Sequence, residues 1–311
     1  MKKLFFFINV IFYSISYQAQ QVVQYSNYLE NSFYLNPAVS HQLKNSLNIL
    51  YRKQWVGFEG APKTTFLSYQ SCLSNLKDVK SYSFSNVGGF IQSENIGAFR
   101  SFKLNFSYSY SFLLNSKWRM SVGSFIGLQQ LGLDVTEMTL FDSNDPVVDV
   151  TNFSFLFPDF SMGLIVSNNN SFLGVSAKQV FQNKWKKIIN SELSKNQSSF
   201  VFIAAKKILL RNINFIPNVM FDFTGRANPK FIAGLQINYN DVISTGISLR
   251  NENTLLGQFK IMMTKNLQLS YAHDFSFSNI MLKPLNSSEF MITYSSNISE
   301  KNKHKNSISF F

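Results

Sequence analysis

The sequence predicts an all-β chain, folded as a transmembrane antiparallel outer-membrane β-barrel of about 14 strands. Three observations support this prediction: many segments alternate apolar and polar residues, the N-terminus has the pattern of an export signal, and the connections alternate between short and long. Outer-membrane barrels combine these features, because their strands separate lipid from a polar lumen and their turns are short on one side of the membrane only.

The clearest alternation runs from Ser101 to Phe112, which reads SFKLNFSYSYSF. Successive side chains of a strand point to opposite faces, so this segment has one apolar face and one polar face. A strand of ~9–11 residues crosses the hydrocarbon of a membrane when it is tilted by ~45°. An amphipathic strand of a soluble β-sandwich would alternate in the same way. Recurrence along the chain and evidence of export therefore decide between the two folds.

The N-terminus has the pattern of a secretory signal. Met1-Lys2-Lys3 is a short positive region, an apolar stretch from Leu4 to Tyr17 follows, and Gln18-Ala19-Gln20 comes next. We expect residues 1–19 to be cleaved, with the cut close to Ala19. The alternative, a membrane anchor, needs ~20 apolar residues. Residues 20–45 then form an N-terminal periplasmic or lumenal segment, and residues 46–311 form the barrel domain.

The composition favours a barrel over a soluble domain. Aromatic residues make up 16%, with 33 Phe and 13 Tyr, which suits lipid-facing walls with interfacial girdles. The mean hydropathy of −0.04 fits strands that place half of their residues in a polar lumen. No later stretch approaches ~18 uninterrupted apolar residues, so we expect no helical span. The single cysteine, Cys72, excludes an intrachain disulfide.

The charge of the chain limits the kinds of partner. The formal net charge of +12 falls to +10 when Lys2 and Lys3 leave with the signal. An exported basic protein seldom meets nucleic acid, so no nucleic-acid partner is expected. Lipopolysaccharide and other outer-membrane lipid, surface glycans, or an acidic protein face are the anionic partners that the charge favours.

Alternation and turn signals predict fourteen strands along the chain. They are 46–55, 64–73, 83–93, 99–113, 117–130, 157–167, 171–178, 199–207, 213–223, 229–238, 242–249, 254–263, 265–273 and 287–296. An even number of strands is the rule for single-chain bacterial barrels. It places both termini in the periplasm of a Gram-negative bacterium.

The connections between these strands agree with the barrel. Even-numbered connections are mostly short, as at 115–116, 168–170 and 239–241, although 74–82 is long for a turn. The long connections are odd-numbered, at 131–156, 179–198 and 274–286. Short periplasmic turns and long external loops must alternate in an outer-membrane barrel. We therefore expect the odd-numbered connections outside the cell.

One block differs from an ordinary barrel wall: residues 51–64 read YRKQWVGFEGAPKT. Together with Gln24-Tyr25-Ser26 and Asn36-Pro37-Ala38, this block resembles the PorP/SprF family of type IX secretion outer-membrane proteins. The resemblance continues in order through Asp145-Pro146, Phe157-Pro158-Asp159-Phe160, Gly174-Val175-Ser176, Ile216-Pro217, Gly246-Ile247-Ser248-Leu249-Arg250, Tyr271-Ala272-His273-Asp274 and Glu289. It covers nearly all of the mature chain.

The block itself predicts a shaped turn beside a strand end. Gly57 and Gly60 permit backbone angles that are closed to other residues, and Pro62 fixes one. Trp55 suits an aromatic girdle, and Arg52 could pair with Glu59 across the turn. The turn serves either barrel closure or the docking of a secretion partner. The candidate partner-binding residues here are Asn36, Pro37, Ala38, Arg52, Gln54, Trp55, Gly57, Gly60 and Pro62.

Two further regions have open roles. The segment 20–40 is polar and aromatic, so it either plugs the lumen or contacts a periplasmic partner. The long connection 179–198 is basic, and with its flank it contains Lys178, Lys184, Trp185, Lys186, Lys187 and Lys195. It is our candidate contact for the C-terminal domain of a secreted adhesin or for lipopolysaccharide. The alternative is a solvated cationic loop without a partner.

The resemblance implies a role in exporting or retaining cell-surface proteins of Bacteroidota through the type IX machinery. One branch of the family resembles a core component, and the other is paired with a large adhesin used in gliding. The expected partners are a secreted or surface adhesin and other type IX secretion components. A passive channel or small-molecule transporter is the alternative, because fold does not fix function. A soluble β-sandwich adhesin is a third possibility, which the number of strands and the export signal disfavour.

We expect no enzymatic activity, no cofactor and no metal. His41, His273 and His304 include no pair with metal-ligand spacing. The neighbouring residues His273 and Asp274 resemble part of a hydrolytic dyad. Adjacent residues of a strand face opposite sides, so they cannot act together on one surface.

Overall fold

The computed structural model describes residues 23–39, 44–73, 83–134, 153–185, 194–225, 227–251, 253–277 and 286–297. Apart from one short helix, α1 (Ser32–Leu35), the described elements are strands. They are β1 (Lys44–Lys53), β2 (Lys63–Cys72), β3 (Ser83–Ile96), β4 (Phe99–Leu113), β5 (Arg119–Leu133), β6 (Phe153–Ser167), β7 (Ser171–Lys178), β8 (Lys184–Trp185), β9 (Ser194–Lys195), β10 (Ser199–Lys206), β11 (Ile208–Leu210), β12 (Ile213–Thr224), β13 (Lys230–Tyr239), β14 (Ile243–Arg250), β15 (Thr254–Met262), β16 (Leu267–Ser276) and β17 (Ser287–Asn297).

The strands form a closed antiparallel barrel. Strands β1 to β7 pair in chain order, β10 pairs with both β7 and β12, and β12 to β17 again pair in order. Strand β17 pairs back with β1 and closes the wall. Strand β11 continues β10 along β12, while β8 and β9 form a separate two-stranded ladder. Counted this way, the wall has 14 strands, which confirms the predicted barrel.

Several strands extend beyond the predicted boundaries, and β3 and β6 are two examples. Strand β3 runs to Ile96 and not to residue 93, and β6 begins at Phe153 and not at residue 157. Polar residues near the end of β3, and Pro158 near the start of β6, are of the kind that often mark a strand boundary. Ladder pairing continues past them, since Ile96 pairs with Phe99 and Phe153 pairs with Leu133. No helix among the described residues is long and apolar enough to span a membrane.

The two faces of the wall follow the predicted alternation. In β4 the polar side chains Lys103, Asn105, Ser109 and Ser111 are buried inside the barrel, whereas Phe106 is 66% exposed on the outside. Large apolar side chains cover the outer face of other wall strands too, including Ile126, Leu156, Ile247 and Leu249. Lipid outside and polar groups inside explain this arrangement.

The buried core of the molecule lies inside the barrel. It consists of lumen-facing wall residues, such as Leu50, Phe66 and Phe125, and of apolar residues of the N-terminal segment, such as Tyr25, Phe33 and Tyr34. A barrel wall alone cannot bury these lumenal side chains. The segment at residues 23–39 therefore completes the core.

Candidate functional site

The N-terminal segment lies in the lumen, and we call residues 23–39 the plug. Every plug residue from Tyr25 to Val39 is buried except Glu30, which is half-buried. The plug also seals the wall around it, since lumen-facing Leu50, Phe66 and Met291 are 0% exposed. In a water-filled pore these side chains would be wet. The sequence left two roles open for this segment, a plug of the lumen or a contact for a periplasmic partner. The described residues 23–39 plug the lumen.

An ionic cluster on the inner wall holds the first part of the plug. Arg52 of β1 lies 2.7 Å from Asp274 of β16 and 3.3 Å from Glu289 of β17. Arg250 of β14 reaches Asp274 from the other side at 3.2 Å. The side chains in these pairs are at most 7% exposed. Two cations and two carboxylates thus balance one another in a site with little water.

The plug backbone completes the cluster. Glu289 accepts hydrogen bonds from the backbone amides of Ser26 and Asn27, both at 2.8 Å, and from the Asn27 side chain at 3.0 Å. Arg52 also donates to the Ser26 hydroxyl. Hydrogen bonds to a carboxylate are stronger than those between neutral groups. The cluster therefore fixes the backbone of the plug and not only one of its side chains.

Tyr28 and Glu30 anchor the plug to β12, β14 and β15. Burial raises the pKa of Tyr28 to about 12, so its hydroxyl stays protonated and donates to the Asn218 side chain of β12. The Tyr28 hydroxyl also lies 3.1 Å from the Ser248 hydroxyl of β14. Glu30 pairs with Lys260 of β15 at 3.0 Å. These contacts add β12 and β15 to the strands that hold the plug, while β14 also carries Arg250 of the cluster.

Aromatic rings fill the centre of the lumen. The Tyr34 ring packs edge-on against Tyr25 at 4.9 Å between centroids and against the wall residue Phe90 at 5.6 Å. Phe33 packs against Phe125 of β5 at 5.1 Å. The ammonium group of Lys178 lies 3.6 Å from the centroid of the Tyr34 ring. Aromatic pairs of this geometry add ~0.5–1.5 kcal/mol each beyond area burial.

Two wall glycines, Gly123 and Gly163, contact the last part of the plug, Asn36-Pro37-Ala38. We call these two residues the glycine seat. A Cβ atom added to Gly123 of β5 would collide with the Pro37 carbonyl and lie 2.8 Å from the Ala38 nitrogen. A Cβ atom on Gly163 of β6 would collide with the Asn36 side chain. Asn36 in turn donates to the Val175 carbonyl of β7 at 2.9 Å. The plug thus packs directly against the backbone of β5 and β6, at positions where a side chain on the wall would collide with it.

The turn at residues 54–62 has the predicted backbone. Gly57 and Gly60 have φ of 101° and 70°, and Trp55 itself is left-handed at 48°. The Gln54 amide donates to the Pro62 carbonyl at 2.9 Å, and the Val56 amide donates to the Asn286 carbonyl at 2.8 Å. The turn is therefore tied to the start of β17 as well as to its own strands.

The predicted pairing of Arg52 with Glu59 is wrong. Arg52 shares its parity with the lumenal residue Leu50, so its side chain enters the barrel and pairs with Asp274 and Glu289. Glu59 is exposed in the turn. The turn and the plug are nevertheless linked, because Arg52 leads directly into the turn and contacts Ser26.

The structure divides the other predicted partner-binding residues into two groups. Asn36, Pro37 and Ala38 are buried in the plug, while Gln54, Trp55, Gly57, Gly60 and Pro62 lie in the turn. Contact of either group with a partner protein stays a prediction.

The basic connection is only partly described. Lys184 and Trp185 form β8, which pairs with β9, and Lys186 and Lys187 lie outside the described residues. The placement of Lys178 in this loop is wrong. It ends β7 with its side chain buried in the lumen, because strand alternation turns it inward.

The contacts of the site hold the plug across the lumen. Among the described residues no group of three or more His, Cys, Asp or Glu side chains could hold a metal ion. Asp274 is buried in the lumen, whereas His273 faces outward beside Tyr271 and Ser288, at 3.2 and 3.1 Å. The two neighbouring residues thus lie on opposite faces, as expected. Sequence reasoning missed Asp274, Glu289 and Arg250 as holders of the plug.

Comparison with known proteins gives one family and a fold. The model of the family described as "Type IX secretion system membrane protein PorP/SprF" matches residues 17–294. No curated protein matches the chain. Among solved structures, a monoaromatic hydrocarbon channel, CymD, has a TM-score of 0.53 at 11% identity and covers 88% of this chain and 94% of its own.

The toluene transporter TbuX of Ralstonia pickettii has a TM-score of 0.52 at 10% identity. The match covers 86% of this chain and 93% of the transporter. At such low identity both likenesses concern the fold alone. They agree with an outer-membrane barrel.

Proposed function

The chain belongs to the PorP/SprF family of type IX secretion system membrane proteins, and we propose that its plugged barrel supports the secretion or surface anchoring of a partner protein. The observation that carries this proposal is the filled lumen. Leu50, Phe66 and Met291 on the inner wall are 0% exposed, so the lumen between the described residues is filled at these positions, where a diffusion channel needs water. The barrel then acts as a membrane-held platform without enzymatic activity.

The partner we propose is a secreted or surface adhesin, such as a gliding adhesin of Bacteroidota, together with other type IX secretion components. We also propose that both termini lie in the periplasm and that the odd-numbered connections face the outside. The turn at 54–62 and the β8–β9 ladder then lie on the outer side, where a secreted partner arrives.

Deletion of the gene in its native host tests this proposal. We expect one or more surface or secreted proteins to disappear from the cell surface, with restoration by the intact chain. Quantitative mass spectrometry of the secreted and surface-shaved proteomes measures the effect. Loss of one large protein would indicate an adhesin-paired role, and loss of many would indicate a core role. An unchanged proteome in the deletion strain would refute the proposal.

The alternative, a passive channel, takes its support from the solved structures of similar fold, which are a monoaromatic hydrocarbon channel and a toluene transporter. It requires a continuous path through the lumen. The ionic cluster at Arg52 and the glycine seat at Gly123 hold the plug across that path. Conductance measurements on Arg52→Met and Gly123→Ala, which loosen the plug, separate the two functions.

A further inference from the structure

Three cations face outward at the end of the barrel where the odd-numbered connections lie. Lys53 is the last residue of β1, Lys63 is the first of β2, and Arg100 is the second of β4. The neighbouring residues Arg52 and Thr64 are buried in the lumen, so alternation turns Lys53 and Lys63 to the outer face. The Arg100 side chain is 49% exposed.

The strand register brings these cations together. Lys53 and Lys63 are direct cross-strand partners. Lys63 pairs with Asn95 of β3, and Asn95 pairs with Arg100. Since neighbouring strands are ~4.8 Å apart, Arg100 lies about 10 Å from Lys63 along this row.

Two like charges directly opposite each other destabilise a sheet. In the part of the chain that the structure describes, neither Lys53 nor Lys63 forms an ion pair, although Arg100 pairs with Asp134 at 2.9 Å. An anion held between the two lysines would turn this repulsion into attraction. The unneutralised pair is therefore a physical reason to expect a negatively charged ligand.

The apolar side chains on the outer face of the same strands indicate which kind of anion binds here. Next to the cations, the outer face exposes Tyr51 of β1, Leu67 of β2, Ile91 of β3 and Phe102 of β4, each between 39% and 48% exposed. The cations thus stand where the wall passes from apolar to polar residues. This is the depth of lipid headgroups, where basic side chains meet phosphate.

A recess of about 480 Å³ lies on this surface beside Arg100. Besides Arg100 and its ion-pair partner Asp134, its lining includes Ser93, Asn95, Phe102, Gln130 and Ser154. Gly132 pairs with Arg100 in the ladder, and its missing side chain leaves room there. Hydroxyl and amide groups beside an aromatic ring suit the polar part of a headgroup, such as a sugar.

We propose that Lys53 and Lys63 bind a phosphate group of a membrane-lipid headgroup, and that the recess beside Arg100 receives the adjoining polar part of the same headgroup. The ligand is a lipid and not a soluble anion, because apolar side chains on the same strands hold acyl chains beneath it. This site is independent of the secretion role, since it requires only that the barrel lies in a membrane.

The test uses the purified full chain in mild detergent, with binding of diphosphorylated lipid A followed by native mass spectrometry. The double variant Lys53→Gln/Lys63→Gln removes both charges, at a half-buried position and an exposed one. We expect binding to weaken about 30-fold, since a basic residue near an anionic surface contributes ~1 kcal/mol. The matched control is Lys206→Gln, which removes an exposed lysine at the end of β10. It should leave binding unchanged, and Lys53→Arg/Lys63→Arg should retain it.

Three results would overturn the proposal. The double variant could bind lipid A as tightly as the unchanged chain, or the control variant could lose as much affinity. Inorganic phosphate at millimolar concentration could displace the lipid completely, which would indicate a site for a soluble anion. Heat-modifiable migration on gels shows that each variant is folded, and dephosphorylated lipid A, which should bind weakly, shows that the phosphate is recognised.

Discussion

Replacing Arg52 with methionine is expected to destabilise the folded barrel by about 3–5 kcal/mol, the range for breaking a buried ion pair by removal of one partner. Arg52 contacts both Asp274 and Glu289, so the change leaves two buried carboxylates with Arg250 as the one remaining arginine of the cluster. The measurement is the temperature at which the folded form is lost on heat-modifiability gels. Faster proteolysis of the plug should accompany the lower temperature.

The matched control for Arg52 is Arg100→Met. Arg100 also forms an ion pair, with Asp134 at 2.9 Å, but its side chain is 49% exposed. Exposed pairs contribute ~0–1 kcal/mol, so the control should remain close to the unchanged chain. Adding Glu289→Gln to the Arg52 variant should restore part of the stability, because it removes the carboxylate left without a partner while Asp274 keeps its pair with Arg250. Equal losses at Arg52 and Arg100 would contradict the assigned role of the cluster.

Replacing Gly123 with alanine is expected to push the end of the plug away from the wall. The added methyl group collides with the Pro37 carbonyl, which is backbone and cannot rotate aside as a side chain can. Overpacking of this kind costs ~1–3 kcal/mol. The plug should therefore become accessible to protease, and cleavage in residues 23–39 of the folded protein measures this.

Two further glycine variants sharpen this prediction. Gly163→Ala collides with Asn36 of the same plug segment, so its effect should add little once Gly123→Ala has displaced the plug. Gly257→Ala is the control, because the atom nearest to its added methyl group would belong to the Phe275 ring, at an ordinary contact distance of 3.6 Å. If Gly123→Ala and Gly257→Ala gave the same rate of plug cleavage, the glycine seat would be disproved.

The wall was predictable because its signal is local. Strand alternation in segments such as 101–112 depends only on which face meets lipid, and the ladder from β1 to β17 matches the predicted order. The ends of β3 and β6 were predicted less well. The end of β3 continues to pair with β4 beyond its polar residues, and the start of β6 pairs with β5 before Pro158. Polar residues and proline usually mark a strand boundary.

The plug contacts were not predictable from local pattern, because they join distant parts of the chain. The Ser26 amide bonds to Glu289, which lies 263 residues away. One signal in the sequence did point to a filled lumen: Leu50, Phe66 and Phe125 stand on the otherwise polar parity of their strands. Large apolar residues facing a lumen need an apolar partner inside it, and the segment with Tyr25, Phe33 and Tyr34 supplies one.

Conductance across a planar lipid bilayer tests most directly whether the plug closes the barrel. The intact chain should insert without steady conductance, whereas a chain that lacks residues 23–39 should give stable open steps. Arg52→Met and Gly123→Ala should give intermediate, fluctuating openings, which keeps the test decisive if the deleted chain does not fold. Steady conductance of the intact chain, equal to that of the variants, would contradict the account and favour a diffusion channel.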